Sequence, residues 1–142
     1  MNAPLKQHHV LSSDLANLTP LRQEVIQKLS EYDYPDNTVF AIRLAVDEAL
    51  CNAIKHGNHQ DKSKSIIVDY AIDHERFVMS VEDQGQGFRI KDVPDPTAKE
   101  NLVKPSGRGV MLIDLYMTQV KYNQKGNQIT ITKDKNCPKP TR

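Results

Sequence analysis

Two runs of alternating apolar residues, three residues apart, most constrain what this chain can fold into. In SIIVDYAI, residues 65–72, Ile66, Val68, Tyr70 and Ile72 share one side of an extended segment. In RFVMSVED, residues 76–83, Phe77, Met79 and Val81 do the same. Asp73-His74-Glu75 joins the runs, so they read as a β-hairpin with one apolar face. A lone hairpin is at best marginally stable, so a second layer must cover that face.

The covering layer is legible upstream. Thr19-Pro20 reads as an N-cap followed by proline at the first helical position. Leu21, Val25 and Leu29 recur at helical spacing, predicting a helix over Pro20–Glu31. Tyr34-Pro35-Asp36-Asn37 breaks it, and Asp36 or Asn37 can cap a second helix over Thr38–His56, which Gly57 stops. Residues 7–13 read as a short edge strand. Residues 84–105 form a long irregular stretch with Pro94, Pro96 and Pro105, a length typical of a lid or binding loop. A third helix is predicted over Val110–Met117. Strands Gln119–Asn123 and Gln128–Thr132 follow, with Lys125-Gly126-Asn127 at their turn. Residues 134–142 read as a disordered tail.

This order predicts an α+β fold: a two-layer α/β sandwich with one mixed, mostly antiparallel sheet and three helices on one face. At 142 residues the chain suits one domain, placed at 1–133. Lys and Arg total 19 and Asp and Glu total 18, so the net charge of +1 offers no field for coating nucleic acid or an anionic membrane. No apolar run approaches the ~20 residues of a membrane helix, and MNAPLKQHHVLSS lacks a signal-peptide core. The expected location is therefore the cytoplasm. Two cysteines and five scattered histidines make neither a disulfide framework nor a metal set.

Three places break the pattern. The apolar side chains of the 38–56 helix spread around most of its wheel, predicting burial on several sides. Yet Glu48 and Asn52 lie one turn apart on the face of Ala41 and Ala45, and Lys55 and His56 extend that stripe. The stripe suits a polar cavity or a solvated face equally. Arg43 and Asp47, four apart, read as a surface ion pair. Asp83 ends an inward-facing row and is followed by Gly85 and Gly87. It can accept a hydrogen bond from an exocyclic amine such as adenine's, or merely cap an Asx-turn. Gly107-Arg108-Gly109 precedes a helix, where free backbone N–H groups favour an anion such as phosphate. Together the three can form one nucleotide site. Asn52 would offer oxygen to Mg²⁺, and Glu48 would take a proton from an attacking hydroxyl or water. The long loop would close over the phosphates.

DEALCNAIKHG, residues 47–57, resembles the N box of the Bergerat-fold ATPases, the superfamily of gyrase, histidine kinases and mismatch-repair proteins. DQGQGF, residues 83–88, resembles its first glycine box, and SGRGVMLI, residues 106–113, its second. The boxes stand in the family's order, and the match spans about residues 10–133. The sequence is most similar to the bacterial anti-sigma-factor serine/threonine kinases. That resemblance implies ATP and Mg²⁺ bound between helix layer and lid. It implies Asp83 on the adenine amino group, Asn52 on Mg²⁺ and Glu48 as general base. It places Lys55, His56, Gly85, Gly87, Ser106, Gly107, Arg108 and Gly109 around the nucleotide. It further implies a homodimer that phosphorylates a small anti-anti-sigma (STAS-type) partner and holds a sigma factor inactive. One position departs: an arginine facing the terminal phosphate is replaced by Pro105, with Lys104 and Arg108 as neighbouring cations. That departure motivates a second reading, a nucleotide-gated module that sequesters a signalling partner without transferring phosphate.

Overall fold

The computed structural model describes residues 4–85 and 116–136. The predicted hairpin forms, with β2 at Ser65–Ile72 and β3 at Arg76–Glu82. The edge strand β1 spans Leu5–Ser12, and the last two strands are β4, Gln119–Tyr122, and β5, Gln128–Asp134. They make one five-stranded sheet in the order β1-β2-β3-β5-β4. Every strand pair among the described residues is antiparallel, so the expected mixed pairing is not found there.

Register follows the apolar alternation. His9, Val68, Val81, Ile129 and Tyr122 stand in one cross-strand row, and Gln7, Tyr70, Met79, Ile131 and Val120 in the next. A one-residue slip would turn Val68, Tyr70, Met79 and Val81 outward, which fixes the pairing. Two helices cover this face: α1, Leu18–Glu31, and α2, Asp36–Asn52. Leu21, Val25 and Leu29 of α1 join Ile42, Val46, Leu50 and the inward strand residues in one core. The third predicted helix lies outside the described residues apart from its end, where Tyr116 is helical and Met117 is buried in the core.

Four local expectations are corrected. The first helix begins at Leu18, because Asp14 caps a 3-10 turn over Leu15–Asn17 that runs directly into it. Pro20 then sits in the first turn, where its missing N–H costs nothing. Second, α2 buries one stripe, Thr38, Ala41, Ile42, Ala45, Val46, Ala49 and Leu50, and not several sides; Phe40 is 55% exposed. Third, Asp47 pairs with Arg22 of α1 at 3.0 Å instead of with Arg43, because α1 lies alongside α2 there. Fourth, the chain is held past residue 133: Asp134 ends β5, and the Lys135 N–H donates to the Glu75 carbonyl at 2.9 Å. The Lys135 carbonyl accepts from the Thr38 hydroxyl at 3.0 Å.

One core cation was not expected. Lys133 continues the inward row of Ile129 and Ile131, is 1% exposed, and donates from Nζ to the Tyr116 carbonyl at 2.7 Å. Among the described residues, no helix is long and apolar enough to cross a membrane, and Cys51 is a free thiol.

The core predicts its own sensitivity. Leu29 is fully buried between the helices and the sheet. Leu29→Ala should cost about 2–5 kcal/mol in urea unfolding, while Phe40→Ala stays within about 0.5 kcal/mol of wild type.

Candidate functional site

The site begins where α2 stops being an α-helix. Ala53–Gly57 form a single π turn, closed by the Asn58 N–H donating to the Ala53 carbonyl at 2.9 Å. Such wider turns occur mostly as isolated insertions in helices, often at functional sites. The chain then turns back through His59 and Gln60, both left-handed at φ 53° and 57°. This carries Gly57 against the end of β3. A Cβ on Gly57 would lie 2.2 Å from the Asp83 carboxyl carbon, and a Cβ on Gly85 would lie 2.2 Å from the Gly57 carbonyl oxygen. Only glycine allows these two segments to touch.

Asp83 follows β3 directly. Its backbone N–H donates to the Asn127 carbonyl at 2.9 Å, and its own carbonyl accepts from Asn127 Nδ2 at 2.8 Å. Its Oδ1 accepts from the Gly85 N–H at 2.8 Å. Burial pushes the Asp83 carboxyl above the usual aspartate range, against the lowering effect of the Gly85 hydrogen bond. Asp83 thus makes the Asx-type turn, and it also lines a cavity.

That cavity has a volume of about 620 Å³, within the ~300–1,000 Å³ of small-molecule sites. Ala49, Asn52, Ala53 and His56 line it from α2 and the π turn. Val81, Asp83 and Gly85 line it from the end of β3, and Tyr122, Asn127 and Ile129 from the β4–β5 hairpin. The wall mixes apolar side chains, Ala49, Ala53, Val81 and Ile129, with polar ones, among them Asn52, His56, Asp83 and Asn127, that can fix a ligand's orientation.

Of the expected site residues, Asn52, His56, Asp83 and Gly85 are brought together around this cavity. Glu48 is half-buried on α2, one turn before Asn52, and does not line it. Lys55 is exposed and is not among the residues that line the cavity. Gly87, Ser106, Gly107, Arg108 and Gly109 lie outside the described residues, as does Pro105. Ala49, Gly57 and Asn127 were not anticipated as site residues. In the sequence Gly57 reads as a helix stop and the last residue of the N box, and Asn127 as a turn residue. The extra signal was the small size of Ala49 and Ala53 beside Asn52 and the glycine directly after His56.

The donor set suits a phosphate-bound Mg²⁺ better than a dedicated metal cage. Among the described residues no group of three or more His, Cys, Asp or Glu side chains could hold a metal. Mg²⁺ commonly takes only one or two protein oxygens and fills its shell with phosphate and water. Asn52 offers one such oxygen at the cavity wall.

Residues 11–133 match the family model of the histidine kinase-like ATPase domain. An anti-sigma F factor of Clostridium perfringens is 34% identical over 101 residues, covering 67% of this chain and 71% of that protein. The serine-protein kinase RsbW of Bacillus licheniformis is 30% identical over 109 residues, covering 72% of this chain and 67% of that one. The crystal structure of the RsbU and RsbW domains of Rv1364c from Mycobacterium tuberculosis superposes with a TM-score of 0.62 at 17% identity. It matches 92% of this chain and 32% of that longer one, and shows the shared fold. With the three sequence boxes and the cavity between α2 and the sheet, these matches establish that the chain belongs to the histidine kinase-like ATPase domain family.

Proposed function

We propose that this protein is an ATP-dependent serine/threonine protein kinase and anti-sigma factor. It would phosphorylate a small STAS-type anti-anti-sigma partner and otherwise hold a sigma factor inactive, acting as a homodimer in the cytoplasm. The observation that carries the reading is the convergence of Asn52 and the desolvated Asp83 carboxylate on one cavity of nucleotide size. The names of the relatives, anti-sigma F factor and serine-protein kinase, support it.

On this reading the chain's groups divide the work. Asp83 accepts from the adenine amino group, and Val81, Ala53 and Ile129 pack the base. Asn52 would ligate Mg²⁺, which supplies charge neutralisation at the phosphates. Glu48, one turn further from the cavity, would take the proton of the partner's hydroxyl. A second reading, a nucleotide-gated binding module without phosphate transfer, is favoured by two observations. Pro105 replaces the expected arginine, and Glu48 does not line the cavity.

Calorimetry with ATP and Mg²⁺ tests the site. Wild type should bind, and Asp83→Asn should weaken binding about 10- to 100-fold, the scale of one hydrogen bond to a charged group. A folded wild type that takes up no ATP would refute the reading.

Affinity should also depend on pH with a definite sign. Burial raises the Asp83 carboxyl, so its proton is gained at a higher pH than in an ordinary aspartate. The protonated carboxyl accepts poorly from an amine. Affinity measured from pH 7 downward should therefore begin to fall above the ordinary aspartate value of about 3.9, and Asp83→Asn should flatten the profile.

Glu48→Gln separates the two readings. Phosphate transfer to the partner should fall at least ~100-fold while ATP affinity stays within about twofold of wild type. Transfer at the wild-type rate removes Glu48 as base. Nucleotide-dependent partner binding with no transfer by wild type favours the module.

A further inference from the structure

The Asp83 carboxylate can serve a ligand only if the peptide that follows it is held still. That peptide group, the Asp83 carbonyl and the Gln84 N–H, is gripped at both edges. Asn127 Nδ2 donates to its carbonyl at 2.8 Å, and its N–H donates to Asn58 Oδ1 at 2.7 Å. Asn127 lines the cavity; Asn58 does not, and it is fully buried at 0% exposure.

Asn58 is fixed with unusual completeness. Its Nδ2 donates to Ser13 Oγ at 2.6 Å and to the Ser65 carbonyl at 3.0 Å. Its Oδ1 takes the Gln84 N–H, so both amide donors and the acceptor are used. Ser13 is itself held by Lys64, to whose carbonyl both its N–H and its hydroxyl donate at 3.0 Å. One side chain thereby ties together the end of β1, the start of β2 and the segment leaving β3. Gln84 answers the same arrangement, its Oε1 accepting from the Ser65 N–H at 2.7 Å. Asn58 is also the residue that closes the π turn, directly after the Gly57 that abuts the Asp83 carboxylate.

We propose that Asn58 is a positioning residue of the nucleotide site, which sets the Asp83–Gln84 peptide and with it the direction of the Asp83 carboxylate, without touching the ligand. The ligand part of this inference rests on the nucleotide reading above. Freeing the Gln84 N–H lets the peptide rotate about the Asp83 backbone and leaves a part-buried donor without its protein partner. Ser13 provides the control, because it meets Asn58 Nδ2, which keeps its bond to the Ser65 carbonyl, and not the Oδ1 that holds the Gln84 N–H.

The experiment pairs site-resolved amide hydrogen exchange with calorimetry of ATP and Mg²⁺, on wild type, Asn58→Ala and Ser13→Ala. In Asn58→Ala the Gln84 amide should exchange about 10-fold faster than any change at the core amide of Met79 accounts for, and ATP affinity should drop about 10-fold. Ser13→Ala should leave both the Gln84 excess and the affinity within about twofold of wild type. If Asn58→Ala does not fold, Asn58→Ser, whose hydroxyl is one bond shorter, is read the same way. Gln84 exchange that merely tracks Met79 overturns the proposal, as does unchanged ATP affinity in an Asn58 variant when wild type binds. If wild type binds no ATP, the nucleotide reading falls, and the exchange result still decides whether Asn58 holds the peptide.

Discussion

A carboxylate brought out of water at the end of a strand must be given partners or it will take up a proton or pull the chain open. Asp83 is that carboxylate here, and much of the surrounding architecture answers it. The Gly85 N–H meets one oxygen, and Asn127 meets the backbone on both sides of the residue. The other side is closed by Gly57, whose bare Cα allows helix α2 to end against the carboxyl group. Even with these contacts, burial leaves the charged form less favoured than in an exposed aspartate. A ligand donor would therefore replace hydrogen bonding that water supplies to an ordinary exposed aspartate.

The same constraint explains why α2 ends as it does. A helix continued regularly past Asn52 would present each later residue 100° further round, with no reason for Gly57 to meet the sheet. The π turn over Ala53–Gly57 changes that phase while Ala53 and Ile54 are still buried in the core. The left-handed His59 and Gln60 then return the chain to β2. Asn58 lies at the pivot of this reversal, and its buried amide donates to Ser13 and Ser65 and accepts from Gln84, the segments that the reversal brings together.

The fold was largely legible because its core follows simple periods. Alternation placed Ile66, Val68, Tyr70, Phe77, Met79 and Val81 inward, and helical spacing placed Leu21, Val25 and Leu29. Asn52, His56, Asp83 and Gly85 were legible as residues that broke those periods, and they do share a cavity. What escaped the reading depends on contacts between distant segments. The partner of Asp47 was Arg22, 25 residues away, and not the near neighbour Arg43. Asn58 and Asn127 carry no periodic signal, since their roles arise only once β1, β2, β3 and β5 are assembled. Lys133 is a similar case: its row is inward, but its amine needs the Tyr116 carbonyl, which sequence spacing does not reveal.

On the kinase reading, Glu48 and Asn52 would let one helix serve two chemistries at once. Four residues advance an α-helix by about 6 Å and turn it by about 40° past a full revolution. Asn52 therefore reaches the cavity wall while Glu48 stands one turn back, beside the buried Ala45 and Ala49 and outside the lining. On the kinase reading that offset is useful. A base placed among the ribose and adenine contacts would compete with the nucleotide, whereas one set a turn away faces whatever approaches along the helix. The partner hydroxyl would then enter from the side of Glu48 and the nucleotide from the side of Asp83, with Asn52 between them. The α2 backbone, anchored in the core through Ile42, Val46 and Leu50, would keep the two at fixed separation.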